Sequence, residues 1–407
     1  MRARFAEGWV AVAVALALGV LGARQARAES VFAVGGLGEP TLEENAALRA
    51  LGGAGVAEHG PATFSLINPA STAEAQHLVL EATFLSTHRD ISTVSFGDES
   101  AYETSIPSVR MVVRLPGGFA LGGSYLLGTS GSFTVDRPDT SGVLNALHIE
   151  GSGGINYARG TLARKLTKRL LAGVDYEIVG GSFREEWTRR FPDVNLATAR
   201  DTLETSWQRL GRWRVGGVYA LSWLSVGGVY ETGRRLPITE RQRTAGADEI
   251  TTGRSLAIPD GWAAGFNASL GGRSRIVGQY RRQQWDATDL KTDLFDLRWE
   301  ERYSIGLERG AGTFGGTLSK VPLRIGATFL RWPDLVPVAG ATDVSGGVAG
   351  VNEWAVSIGS GLVTRDRGGS LDVSLEGGRR GSKTDLGAEE TFIRAAFSLR
   401  VSDETWR

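Results

Sequence analysis

Thr391-Phe392-Ile393-Arg394-Ala395-Ala396-Phe397-Ser398-Leu399-Arg400-Val401 is the stretch on which the reading of the fold turns. Ile393, Ala395, Phe397, Leu399 and Val401 share one face of an extended chain, and Arg394, Ser398 and Arg400 share the other. On a helix these residues would be spread around the whole surface, so a period of two predicts a strand with an apolar and a charged face. The same alternation recurs in Leu78, Leu80, Ala82 and Phe84, and in Val109, Met111 and Val113. It returns in Trp262, Ala264, Phe266, Ala268 and Leu270, and in Leu323, Ile325, Ala327 and Phe329.

Extending the pattern gives candidate strands near 77–86, 106–114, 119–127, 154–164, 170–181, 210–220, 224–233, 261–270, 274–284, 300–309, 322–331, 352–362, 370–378 and 391–401. That is about fourteen, the even count of a single-chain bacterial barrel. Leu115-Pro116-Gly117-Gly118, Leu221-Ser222-Trp223 and Gly271-Gly272-Arg273 are tight links, whereas 128–153, 182–209 and 234–260 are long and only 310–321 breaks the alternation. Short links at one rim and long ones at the other describe an all-β fold, a transmembrane antiparallel β-barrel, and not a soluble sandwich. The apolar face then meets lipid. Phe397 and Leu399 are assigned to that face, and Arg110, Arg324, Arg394 and Ser398 to the lumen, with alanine expected to be tolerated at Arg394 and Ser398. Trp213, Trp223, Trp262, Trp299 and Trp332 are expected in the interfacial girdle.

Composition supports an exported, non-catalytic chain. The 407 residues include 56 Gly and no Cys, and 45 basic residues balance 45 acidic ones. There is therefore no disulfide scaffold, thiolate metal site or cysteine nucleophile, and no basic field for nucleic acid. Arg2 and Arg4, the apolar run from Trp9 to Leu21, and Ala26-Arg27-Ala28 form a signal peptide over 1–28, with an apolar run shorter than the roughly 20 residues of a spanning helix. The expected destination is the cell outer membrane. His59, His77, His88 and His148 lack metal-ligand spacing, as do Asp289, Asp293 and Asp296 for calcium. Gly310-x-Gly312-x-x-Gly315 has no βαβ context, and there is no Gly-x-Ser-x-Gly elbow. No metal, cofactor or enzymatic activity is expected.

Residues 29–76 stand outside the strand pattern, ahead of a barrel over 77–407. Thr41 and Glu44 read as a capping box before Leu42, Ala46, Ala47 and Leu48, with Gly52-Gly53 as the stop. No strand is expected here, and Leu66 and Ile67 favour an internal plug over an exposed tail.

Ala47-Leu48-Arg49-Ala50-Leu51-Gly52-Gly53-Ala54-Gly55-Val56-Ala57, followed by Asn68-Pro69-Ala70, resembles the hatch of the long-chain fatty-acid transporter family of outer-membrane proteins. Ile258-Pro259-Asp260-Gly261-Trp262, with Gly265, Tyr280 and Trp285, resembles that family's strand pair. Val321-Pro322-Leu323-Arg324-Ile325-Gly326 and Leu371-Asp372-Val373-Ser374-Leu375-Glu376-Gly377-Gly378-Arg379-Arg380-Gly381 are similar to later strands. The resemblance implies fourteen strands and an N-terminal hatch, in which Gly52, Gly53, Gly55, Asn68, Pro69 and Ala70 take part in gating. It also implies passive uptake of hydrophobic molecules such as long-chain fatty acids, in contact with outer-membrane lipid, after insertion by the barrel-assembly machinery. Phe183, Arg184, Trp187 and Phe191 in one long link, with Trp207, and Leu236 and Ile238 in another, are the candidate ligand-binding residues. A secretion-associated or structural barrel presenting cargo, and a general porin, are the alternatives.

Overall fold

The computed structural model describes residues 30–33, 38–60, 64–75, 78–94, 97–138, 146–191, 198–271, 273–287, 296–311, 321–341, 344–363 and 368–403. The leader 1–28, His77, Asp289, Asp293, Gly312 and Gly315 lie outside them. Among the described residues, fourteen strands close into an antiparallel barrel. They are β1 (Leu78–Thr93), β2 (Gly97–Arg114), β3 (Phe119–Leu127, resuming as Phe133–Pro138), β4 (Ala146–Lys165) and β5 (Leu170–Arg190). Next come β6 (Ala199–Ala220), β7 (Leu224–Glu231 and Arg234–Arg243), β8 (Ile250–Ile258 and Gly261–Gly271) and β9 (Ser274–Gln283). The last are β10 (Glu300–Arg309), β11 (Leu323–Pro337), β12 (Val348–Val363), β13 (Gly369–Ser382) and β14 (Ala388–Asp403). β14 pairs with β1, Leu78 opposite Asp403 and Thr93 opposite Ala388, so no edge is left open. Closure is what lipid demands, because the hydrocarbon offers no partner to a free backbone group.

The alternation sorts as the sequence implies. Leu80, Val109, Met111, Phe266, Ile325, Ile393 and Phe397 are exposed outward, while Glu81, Arg110, Arg324 and Ser398 are buried within. Outward aromatics form a cross-strand ladder, with ring centroids of Trp262 and Tyr280 5.1 Å apart and of Tyr280 and Tyr303 4.8 Å apart. Trp332 departs from expectation. It is 0% exposed and packs inside against Phe32, Leu330 and Val351, with the Arg380 guanidinium 4.6 Å over its ring. Eight residues separate it from lumen-facing Arg324, an even number, so strand parity puts both on one face.

The long links are shorter than their sequence suggests. Most of 182–209 belongs to β5 and β6, and 234–260 is largely a hairpin of β7 and β8. These outer strand portions carry polar residues on both faces, as in Arg184, Glu185 and Glu186, so pairing persists where hydrophobic periodicity has ended.

An arginine near the bilayer midplane costs about 2–4 kcal/mol. Phe397→Arg is therefore expected to lower the fraction of chain that refolds into the compact, heat-modifiable form on gels. An undiminished fraction would remove Phe397, here 40% exposed, from the lipid face.

Candidate functional site

The N-terminal residues thread the lumen. Ser30 Oγ and Val31 N donate to Glu390 Oε1 near the start of β14, at 2.9 and 2.7 Å. Phe64 and Ala75 pack beside Val79 and Val112 at the opposite rim. Between those ends the segment is held from all round the wall. Gln279 Oε1 accepts from Gly55 N and Val56 N, both at 2.9 Å, and Ser398 Oγ accepts from Ala46 N at 2.7 Å. Arg110 Nη2 donates to Ser65 O and to Thr72 Oγ1, at 3.1 and 2.8 Å.

Local structure within the segment differs from the expected capping box. The helix is a single turn, Ala46–Arg49, capped by Asn45, whose side chain accepts from Leu48 N. Glu44 instead reaches across the segment to accept from Ser65 Oγ at 2.5 Å and Leu66 N at 2.8 Å. Asn68 caps the following 3-10 turn, Pro69–Glu74, and its Nδ2 donates to Val56 O and to Gly217 O of β6. A strand absent from expectation is also present, since Glu39–Pro40 pairs with Thr129–Ser130 of the wall.

Two buried ion-pair clusters dominate the electrostatics. Glu43 sits among Arg159, Arg214 and Arg281, at 2.8, 3.5 and 3.1 Å, and the wall carboxylates Glu177 and Glu231 complete the cluster. Glu39 sits among Arg89, Arg380 and Arg394, at 2.7, 2.7 and 2.9 Å, with Glu353 and Glu390 beside them. Burial would raise both segment carboxyls, yet the surrounding guanidiniums hold them well below the usual carboxylate range. Glu44 has no such cage, and burial pushes it up to about 7. Arg394 also pairs with Glu353 and Glu376, and Ser398 with Thr83. Neither is a free lumen residue, so alanine is not neutral at either: losing Arg394 strands the buried carboxylates of Glu353 and Glu376, and losing the Ser398 hydroxyl leaves Ala46 N without its acceptor.

Close approach of segment to wall accounts for a row of glycines on the lumen face. A Cβ at Gly173 would meet Pro69, at Gly216 Asn68, at Gly227 Val56, at Gly306 Leu51, at Gly326 Gly52 N and at Gly359 Ala50. These inward glycines run from β5 to β12 and track one course of the segment. Gly55 is equally confined, because a Cβ there would strike Glu44.

The outer half of the lumen carries an apolar cluster. Leu126, Ile155, Tyr157, Val179, Trp207, Leu236, Ile238, Leu256, Ile258, Trp285 and Leu297 join Leu66 of the segment, with Phe183 packed alongside. The structure thus brings together Phe183, Trp207, Leu236 and Ile238, the first two with rings 6.1 Å apart. Trp187 belongs to a separate cluster with Ala33, Phe133 and Ile149. Phe191 is half-buried beyond the end of β5, and Arg184 is exposed beside Glu186, 3.4 Å away. Ile155, Val179 and Leu256 carried no sequence signal, since a lumen-facing Leu or Ile is indistinguishable by type from a lipid-facing one. Next to this cluster β3 is interrupted. Gly128 N donates to Ile155 O and Gly131 N to Gly153 O, each at 2.8 Å, while Thr41 N donates to Gly128 O at 2.9 Å.

Known channels share this architecture. A Pseudomonas aeruginosa FadL homologue is 13% identical, with a TM-score of 0.60 over 88% of this chain and 97% of that one. The Pseudomonas putida toluene transporter TodX is 12% identical, with a TM-score of 0.58 over 89% and 99%. The CymD monoaromatic hydrocarbon channel is 14% identical, with a TM-score of 0.55 over 89% and 98%. At such identities the likeness is one of fold, and the chain has the fold of the FadL-type channels. A family model described as BamG matches residues 8–209. No curated protein matches the sequence.

Two outcomes test the site. Glu44 ordinarily titrates near 4.5 and here near 7, so its packing is strongest when the carboxyl is protonated in both states and weakens as pH rises through that interval. The thermal midpoint of the folded protein is expected to fall between about pH 5 and pH 8, and Glu44→Gln to flatten that fall; identical pH profiles would refute the assignment. Gly326→Val is expected to leave a heat-modifiable barrel but expel the segment, read as protease cleavage near Gly52 and increased ion conductance in planar bilayers. Unchanged protection and conductance would contradict the close packing.

Proposed function

We propose that this chain is an outer-membrane channel for passive uptake of hydrophobic molecules, with fatty acids among its substrates. Residues 1–28 are the removed leader, 29–76 the hatch and 77–407 the barrel, which the barrel-assembly machinery inserts. The observation that carries the proposal is the apolar cluster inside the barrel, which Leu66 of the segment completes. A polar outer leaflet excludes apolar solutes, and an apolar surface inside a barrel gives them somewhere to go. The channels of like fold are named for hydrocarbons and toluene, which agrees with that chemistry. A general porin would instead require a polar, open lumen. A barrel that only presents cargo would have no use for an apolar interior.

The gate is the contact of the segment with the interrupted strand β3. Glu39 lies opposite Ser130 and Pro40 opposite Thr129, beside the cluster through Leu126 and Ile155. Movement there uncovers the apolar surface. With no native cysteine to interfere, Pro40→Cys with Thr129→Cys forms a cross-strand disulfide. Proteoliposomes of the oxidised double variant are expected to take up radiolabelled 1-decanol no faster than protein-free vesicles, with reduction restoring uptake. Equal uptake in the two redox states would reject the gate, and no uptake by the wild-type protein would reject the channel.

A further inference from the structure

The lipid-facing wall carries an indentation. Residues opposite one another on β8, β9, β10 and β11 form rungs that run around the barrel. Ala264, Tyr280, Tyr303 and Phe329 make one rung, and Phe266, Gly278, Ile305 and Ala327 make the next one towards the tight link at 271–273. Where these rungs carry Ala264, Gly278 and Ala327 the wall is thin, and the Phe266 ring lies over Gly278, where a Cβ would meet it. Tyr280, Tyr303, Ile305 and Phe329 stand around them. The result is an apolar hollow of about 630 Å³ on the outside of the barrel.

A charged rung borders the hollow on the other side. Trp262, Arg282, Glu301 and Arg331 stand opposite one another, one rung beyond Tyr280 and Tyr303. Tyr280 Oη donates to Glu301 Oε1 at 2.6 Å, and Arg331 Nη1 donates to Glu301 Oε2 at 2.7 Å. Arg282 lies over the Trp299 ring, and its Nε has no hydrogen-bond partner among the described residues. The rung therefore sets two guanidiniums against the one carboxylate of Glu301; Asp286, further out, accepts from Trp299 Nε1 at 2.6 Å. Arg331 in turn stands opposite Asn352 of β12, whose Oδ1 accepts from Arg298 Nη2 at 2.8 Å. Arg298, Asn352, Ser382 and Asp385 line a second, polar hollow of about 230 Å³.

Apolar hollow, cationic rung and polar hollow follow one another along the wall, and one kind of amphiphile matches all three. Acyl chains fit the first, a phosphate fits the planar donor forks of the second, and sugar hydroxyls fit the mixed donors and acceptors of the third. The tight link at 271–273 lies at the other end of β9 from Arg282, so the rung belongs to the outer leaflet. Trp262, Tyr280 and Tyr303 are girdle residues, which places the arginines at headgroup depth. We propose that this face, from β8 to β13, binds a phosphorylated, multiply acylated glycolipid of the outer leaflet. The site rests on the outer-membrane reading and is independent of what crosses the lumen. A glycerophospholipid would fill the apolar hollow but leave the polar one unused, so the pair of hollows selects for the glycolipid.

Lipid competition, read by native mass spectrometry of the full-length protein in nonionic detergent, tests this with diphosphoryl lipid A and phosphatidylglycerol as probes. The wild-type protein is expected to prefer lipid A. Replacing both arginines, Arg282→Gln with Arg331→Gln, is expected to lower that preference about tenfold or more, the scale of charge-assisted hydrogen bonds. Ala327→Phe fills the apolar hollow with a side chain that lipid tolerates, and is expected to weaken both lipids. Asn352→Ala is expected to weaken lipid A alone. Heat-modifiable migration checks folding of each variant. Equal affinity of the wild type for the two lipids overturns the proposal, as does a preference unchanged by the arginine replacements and by Ala327→Phe. A lipid-free wild-type dimer that Ala327→Phe dissociates also overturns it, by assigning the hollow to a second copy of the chain. Uptake of 1-decanol reads the channel separately: its absence from wild-type proteoliposomes would reject the channel and leave the lipid site standing.

Discussion

Glu39 and Glu43 are the interaction on which the rest of the structure depends. Each is carried by the N-terminal segment and faces three arginines that belong to the barrel wall. A guanidinium stripped of water needs a carboxylate, and around Glu43 the wall arginines Arg159, Arg212, Arg214 and Arg281 outnumber Glu177 and Glu231, the wall carboxylates they pair with. The lumen is thus completed only when the segment is inside it. The same arrangement makes the segment separable in principle, because ion pairs regain hydration when water enters, whereas a continuous apolar core would not.

The segment can lie so close to the wall because the wall makes room for it. The inward glycines from Gly173 to Gly359 leave the lumen surface bare along one course. Backbone then meets backbone where Gly52 N and Leu51 lie against Gly326, and beside them Thr328 Oγ1 donates to Gly52 O at 2.6 Å. Away from that course the filling is of two kinds, an apolar cluster on the strands near the interruption in β3 and a charged, cavity-bearing region around Arg302.

Low identity to channels of the same fold gives site chemistry more weight than overall shape. Barrels hosting quite different traffic share strand number and tilt, and differ in which residues point inward. Here the inward set is specific: arginines matched to carboxylates, an apolar patch reached by Leu66, and a wall strand broken where the segment pairs with it.

The lipid face was legible in the sequence because alternation over a lipid-exposed strand is a local property, whereas the number of strands came with the family resemblance. Phe397 and Arg394 fall on opposite faces whatever the neighbouring strands do. Trp332 was legible too, by parity with Arg324, and was misplaced only because tryptophan is so common in girdles. The capping role of Asn45, the reach of Glu44 to Ser65 and the pairing of Glu39 with Arg380 were not legible. Those partners lie 3, 21 and 341 residues apart, and only the first separation is local. The sequence by itself determined a closed barrel, its two faces and an apolar, glycine-rich start unlike a strand. Only the tertiary structure decided which arginines meet which carboxylates and which glycines admit the segment, because these depend on how distant strands are brought together when the barrel closes.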